Sequence, residues 1–134
     1  MFLRIEPASR VPIYRQIMDQ VKYQIANGTL APGDRLPSVR ELARRLATNQ
    51  NTIVKVYDLL GGDGWVVRRQ GDGTFVARSP EALTRAERHR RIGQILAQAA
   101  TQAVHFQIDR QELHDLLNAE IDAIEKDRTR HESG

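Results

Sequence analysis

Apolar residues recur at helical spacing through most of this chain. Between Ile13 and Ala26 they stand at 13, 14, 17, 18, 21 and 25, one stripe of a 3.6-residue helix, and Asn27-Gly28 supplies its stop. The stretch LAPGDRLPS that follows holds two prolines and a glycine and reads as turn. Ser38-Val39-Arg40-Glu41 has capping-box spacing, in which Ser38 accepts from the Glu41 amide and Glu41 reaches back. The helix it opens carries Val39, Leu42, Ala43 and Leu46 on one side. After a short turn at Ala47–Asn49, capped by Asn49 or Asn51, a third helix buries Ile53, Val56, Tyr57 and Leu60, with Gly61, Gly62 and Gly64 expected to end it.

The period then changes. Trp65–Arg69 and Thr74–Ala77 have strand character, and Gln70-Gly71-Asp72-Gly73 between them predicts a tight hairpin. Phe2–Ile5 reads as a short strand or an arm, and Trp65 and Phe75 as core residues. Beyond Ser79-Pro80, Leu83, Ile92, Ile95, Leu96, Ala99, Ala103 and Val104 line a long helix. Phe106–Asp109 breaks it, and a last helix carries Leu113, Leu116, Leu117, Ile121 and Ile124; the polar stretch after Lys126 is expected to fray.

Three short helices followed by a two-stranded hairpin is the order of a winged helix-turn-helix. The expected fold is mainly α with a small β-hairpin wing. Its second and third helices, of roughly nine and twelve residues, can lay one across phosphates and the next in a major groove. The expected domains are 1–79, binding DNA, and 80–134, a helical dimerisation tail. Two amphipathic helices with no third layer cannot cover both their apolar faces, so Ile92, Ile95, Leu96, Ala99, Leu113, Leu116, Leu117, Ile121 and Ile124 are expected to meet a second copy of the chain.

Charge sharpens this division. Residues 1–79 hold 12 Arg and Lys against 7 acids, a net +5, whereas residues 80–134 hold 8 against 10, a net −2. The basic half is the one suited to a polyanion. Cysteine is absent, which excludes disulfides, thiolate metal sites and a cysteine nucleophile. No apolar run approaches the roughly 20 residues of a membrane span, and the start lacks the apolar core of a signal peptide, so the expected location is cytoplasmic. No nucleotide-binding glycine loop, H-E-x-x-H or G-x-S-x-G occurs, and His89, His105, His114 and His131 are scattered. The expectation is no enzyme, no cofactor and no metal. A DNA-compacting protein would share the basic half but show little preference among sequences.

The motifs at this point carry a resemblance. Pro12-Ile13-Tyr14-Arg15-Gln16-Ile17, the run from Gly28 to Ala43, Asn51-Thr52 with Lys55-Val56-Tyr57, and Arg69-Gln70-Gly71-Asp72-Gly73-Thr74-Phe75-Val76 resemble, in order, the GntR family of bacterial regulators. The short remainder resembles its YtrA subfamily, whose helical tail serves dimerisation. Two departures stand out. Gln50 occupies a position where the family usually has proline, and Gly61-Gly62-Asp63 replaces a more helix-favouring end, so fraying is expected there.

The resemblance implies a transcription regulator, a repressor by expectation, that binds a palindromic stretch of double-stranded operator DNA as a homodimer. It places Arg40 at the DNA surface, where a planar guanidinium suits guanine or phosphate. Asn49, Gln50, Asn51 and Thr52 crowd the start of the third helix, in reach of base edges or phosphate, Asn49 and Thr52 serving equally as caps. Lys55 suits a phosphate; Arg35 and Arg44 flank the site. In the wing, Arg68, Arg69 and Gln70 lead into Gly71, whose lack of a side chain allows close approach to a groove. The tail leaves little room for a small-molecule effector cavity of at least about 300 Å³ within one subunit, which leaves the dimer interface as the place open to such a pocket.

Overall fold

The computed structural model describes residues 1–78 and 84–133; Leu83 of the expected stripe, and the Ser79-Pro80 boundary, lie outside them. The elements are α1 (Ile13–Ala26), α2 (Val39–Arg45), α3 (Gln50–Gly62), β1 (Val66–Arg69), β2 (Gly73–Val76), α4 (Arg85–His105) and α5 (Arg110–Ser133). They form two compact units, Met1–Pro80 with Asp127–Gly134, and Glu81–Lys126.

In the first unit, Ile17, Val21, Leu42, Ile53, Val56, Tyr57 and Leu60 from the three helices close on Val66 and Val76 of the hairpin, each at most 3% exposed. The helix ends are set locally. Ser38 caps α2 by accepting from the Glu41 amide at 3.1 Å, but the Glu41 carboxylate turns forward to Arg45 at 2.6 Å. The α2 helix is seven residues long and α3 thirteen, against the nine and twelve expected. Ala47 takes a left-handed φ of 49°, and the amides of Thr48 and Ala47 close the α2 end on the carbonyls of Ala43 and Arg44, the pattern usually given to glycine. The glycines at 61 and 62 do not stop α3. They form its last turn, and the Trp65 amide reaches back to the Leu60 carbonyl at 2.9 Å, with the exit at Gly64.

The hairpin pairs Val66 with Val76 through Arg69 with Gly73. Its β2 edge is continued by residues 33–36: Leu36 donates to the Thr74 carbonyl and Val76 to that of Asp34, both at 2.8 Å. Trp65 packs at the rim of the core. Phe75 is half-buried, with the Arg69 guanidinium 5.4 Å above its ring.

Two features bind the unit's periphery. The residues before α1 form an arm rather than a strand. Side-chain amides of Gln16, Gln20 and Gln24, one turn apart on α1, bond the backbone of Glu6, Arg4 and Phe2 in turn. Gln16 and Gln20 each accept from the amide and donate to the carbonyl of one residue, whereas Gln24 donates to the Phe2 carbonyl at 2.6 Å. Met1, Leu3 and Ile5 pack on the core. The second feature corrects the expected fraying after Lys126. The helix continues to Ser133, and its end is held on α1: Arg128 donates to the Ala26 carbonyl at 3.0 and 3.2 Å, Tyr23 to Asp127 at 3.0 Å, and Thr29 meets His131 at 3.0 Å. A carbonyl left open by the end of α1 is thus satisfied by a cation, which the helix dipole favours.

The second unit is a helical hairpin. Thr84 caps α4 and Asp109 caps α5, accepting from the amides of Glu87 and Glu112. Gln107 turns the chain with φ 58°, while the Ile108 amide returns to the Ala103 carbonyl at 2.8 Å. Ala103 alone is buried among this unit's described residues. Ile92, Ile95, Leu96, Leu116, Leu117 and Ile121 are all exposed, Ile95 to 61%, and Ala99, Leu113 and Ile124 are half-covered.

Candidate nucleic-acid interface

The angle between α2 and α3 is fixed by a buried tyrosine. The Tyr57 side chain fills the core from α3, and its hydroxyl donates at 2.6 Å to the carbonyl of Pro37, just before the α2 cap. Burial pushes that hydroxyl well above its ordinary value, so it remains a donor. Asn49 caps α3 by accepting from the Asn51 amide at 2.7 Å. With the apolar stripe of α3 turned inward, Gln50, Asn51, Val54, Lys55 and Asp58 face outward.

The candidate residues fall into three groups. Asn49, Gln50 and Asn51 stand exposed around the start of α3, with Thr52 half-buried beside them. Arg40 and Arg44 are exposed on α2, and no ion pair engages them among the described residues. Arg35, Arg69, Gln70 and Gly71 line a cleft of about 500 Å³ between the hairpin and the α2 start. Gly73 lets the Arg35 guanidinium lie against the backbone: a β-carbon at this position would stand 3.0 Å from its Nε. Gly71, at the tip, has φ 85° and open space around it.

Lys55 stands apart from these groups. Its ammonium sits 3.8 Å from the centre of the Tyr14 ring, so α1 holds and directs it. Such a cation–π contact contributes about 0.5–1 kcal/mol at exposed sites.

Three further residues complete the surface and were not singled out from the sequence. Asp58 on α3 forms an ion pair with Arg68 of β1, tying helix to wing, and Arg68 also lies 5.8 Å from the Tyr57 ring. Tyr14 positions Lys55. Val54 is 37% exposed amid polar neighbours. Helical phase could have found Val54 and Asp58, since positions 51, 54, 55 and 58 share one face; the partners of Asp58 and Lys55 come from other elements and leave no local mark.

Elsewhere, no three metal-binding side chains cluster among the described residues, and none of the described helices is long and apolar enough to cross a membrane. His105 stacks edge-on against Phe106, centroids 5.1 Å apart.

Three helices with a polar third-helix start and a glycine-tipped two-stranded wing define a winged helix-turn-helix protein. The model of the bacterial regulatory proteins of the gntR family matches residues 13–76. The HTH-type transcriptional repressor YtrA of Bacillus subtilis is 33% identical over 115 residues, covering 86% of this chain and 88% of that protein. The chain therefore belongs to the gntR family of bacterial regulatory proteins, DNA-binding transcription regulators, and to its YtrA-like branch. Among solved structures, a transcriptional antiterminator from Listeria monocytogenes superposes with a TM-score of 0.82 at 28% identity, covering 92% of each chain. The DNA-binding domain of AraR, in complex with operator ORX1, matches 56% of this chain and 93% of that one, at 31% identity and a TM-score of 0.50.

Proposed function

We propose that this chain represses transcription by binding a palindromic operator as a homodimer. Residues 1–79 supply the DNA-binding domain and residues 80–134 the pairing surface. The observation that carries the reading is the pairing of two unsatisfied surfaces: a polar, cationic face around α2, α3 and the wing, and an apolar stripe along α4 and α5. In this reading α3 enters the major groove, with Gln50 and Asn51 at base edges and Asn49 and Thr52 shaping the helix start. Arg40 contacts base or phosphate, and Lys55, held by Tyr14, takes a phosphate. Arg35, Arg44, Arg69, Gln70 and Gly71 follow the flanking backbone and groove. Repression matches the role of the Bacillus relative, a transcriptional repressor, and operator binding matches the AraR domain's complex with its operator. The chain acts by binding rather than catalysis, in the cytoplasm.

The α4–α5 stripe includes a groove of about 420 Å³ lined by Ile95, Ala99, Phe106, Leu113 and Leu116 among others. A two-fold contact through it covers the same residues on both copies, and a two-fold protein selects half-sites about one helical turn apart or a multiple of that. Selection of bound DNA from a random library by the full chain tests this. The expected product is an inverted repeat at such a spacing, bound by a dimer in sedimentation. Arg40→Ala is expected to weaken that operator by about 1–3 kcal/mol relative to random DNA. Lys55→Ala should weaken all sequences alike and lower the salt slope by about one unit. A single, non-repeated site bound by one chain overturns the dimeric reading, and no preference at all supports a DNA-compacting role instead.

A further inference from the structure

The first two turns of α3 carry, on their outward face, one residue that neither the core nor the solvent explains; Leu59, also exposed, sits toward the far end of the helix. Val54 is 37% exposed while its neighbours Ile53 and Val56 are fully buried. The core is therefore complete without it. Around Val54 stand Gln50, Asn51, Lys55 and Asp58, all polar and all exposed. The acid in this set is answered, since Asp58 is paired with Arg68 and does not confront an approaching phosphate unopposed. A β-branched side chain in a helix keeps essentially one rotamer, so Val54 offers two methyl groups at a fixed place on this face.

The floor of a major groove presents one apolar group, the C5 methyl of thymine; the other groups there are hydrogen-bond donors and acceptors. We propose that Val54 determines specificity by packing against a thymine methyl group in each half-site. This rests on the reading in which α3 enters the major groove. Cytosine at that place offers hydrogen in place of methyl, and either purine offers polar atoms, so the contact selects thymine without any hydrogen bond.

The test removes the methyl from the DNA and leaves the protein intact. The operator selected by the full-length chain is compared with duplexes in which deoxyuridine replaces each thymine of a half-site in turn, with affinities measured at fixed salt. One position per half-site is expected to lose about fourfold in affinity, the value of one buried methyl group. With Val54→Ala, at a position outside the buried core, the same replacement should change affinity by less than about 1.5-fold, because the partner surface is already gone. Selected half-sites that lack thymine, deoxyuridine duplexes that all bind like the parent, or a Val54→Ala chain that keeps the full sensitivity each overturn the assignment while leaving the operator-binding reading standing. A chain that selects no operator removes both.

Discussion

The two units solve the same problem in opposite ways. In the winged unit, α1, α2, α3 and the hairpin enclose Ile17, Val21, Ile53, Val56, Tyr57 and Leu60 at zero exposure. In the α4–α5 unit an equally regular stripe ends with Ala103 alone buried among the described residues. Both stripes have helical period and similar side chains. The difference is the number of layers: three helices and a wing close around a centre, whereas two helices have only one mutual seam and leave the rest of each stripe open. An amphipathic pattern thus specifies which face is to be covered but not what covers it.

The contrast can be broken first from the buried side. Ile53→Ala is expected to cost about 2–5 kcal/mol through lost transfer energy and an unfilled cavity, read as a lower denaturant midpoint; Ile95→Ala should leave the melting of the winged unit within about 0.5 kcal/mol. Next comes the open stripe. Ile121→Glu places a charge where pairing is proposed, and should weaken self-association at least a hundredfold, about 2.7 kcal/mol, with the far-ultraviolet spectrum unchanged. Sedimentation equilibrium gives the answer, and an unaltered dimer would show that the stripe is covered some other way.

Smaller effects sharpen the account of the winged unit. Tyr57→Phe leaves the Pro37 carbonyl without its donor and should cost about 1–2 kcal/mol at neutral pH. Because burial raises the Tyr57 value in the folded chain, the folded form keeps its proton where the unfolded form releases it. The stability this provides is whole below roughly pH 10 and declines above it. In Tyr57→Phe that alkaline decline should disappear from pH-dependent unfolding. Smallest of all, Ala47→Gly relieves a left-handed residue worth about 1–2 kcal/mol of strain while loosening the unfolded chain, for a net gain near 0.5 kcal/mol in thermal unfolding.

Periodicity was enough to place the five helices and two strands of the described residues, because each has its own local signals: Ser38 and Asn49 as caps, and the change of period at Trp65. The polar start of α3 was legible for the same reason. What was hidden depends on partners distant in sequence. Glycines 61 and 62 look like terminators until the return bond from Trp65 to Leu60 is seen, and α5 outlasts its apolar stripe because Asp127, Arg128 and His131 find Tyr23, Ala26 and Thr29 about a hundred residues away. The Asp58–Arg68 and Tyr14–Lys55 pairs were missed likewise, each joining elements whose approach no local pattern announces.

The glutamines along α1 carry a consequence for how the arm can vary. Each rung takes hold of alternate backbone units, Glu6, Arg4 and Phe2, and thereby turns Met1, Leu3 and Ile5 toward the core. Since main-chain groups are what the rungs grip, side chains at 2, 4 and 6 are free to change. The count of residues is not: inserting or deleting one between Phe2 and Glu6 shifts the alternation by half a period and presents the wrong side chains to the core. The arm is therefore tolerant in spelling and strict in length, a reading frame written in hydrogen bonds.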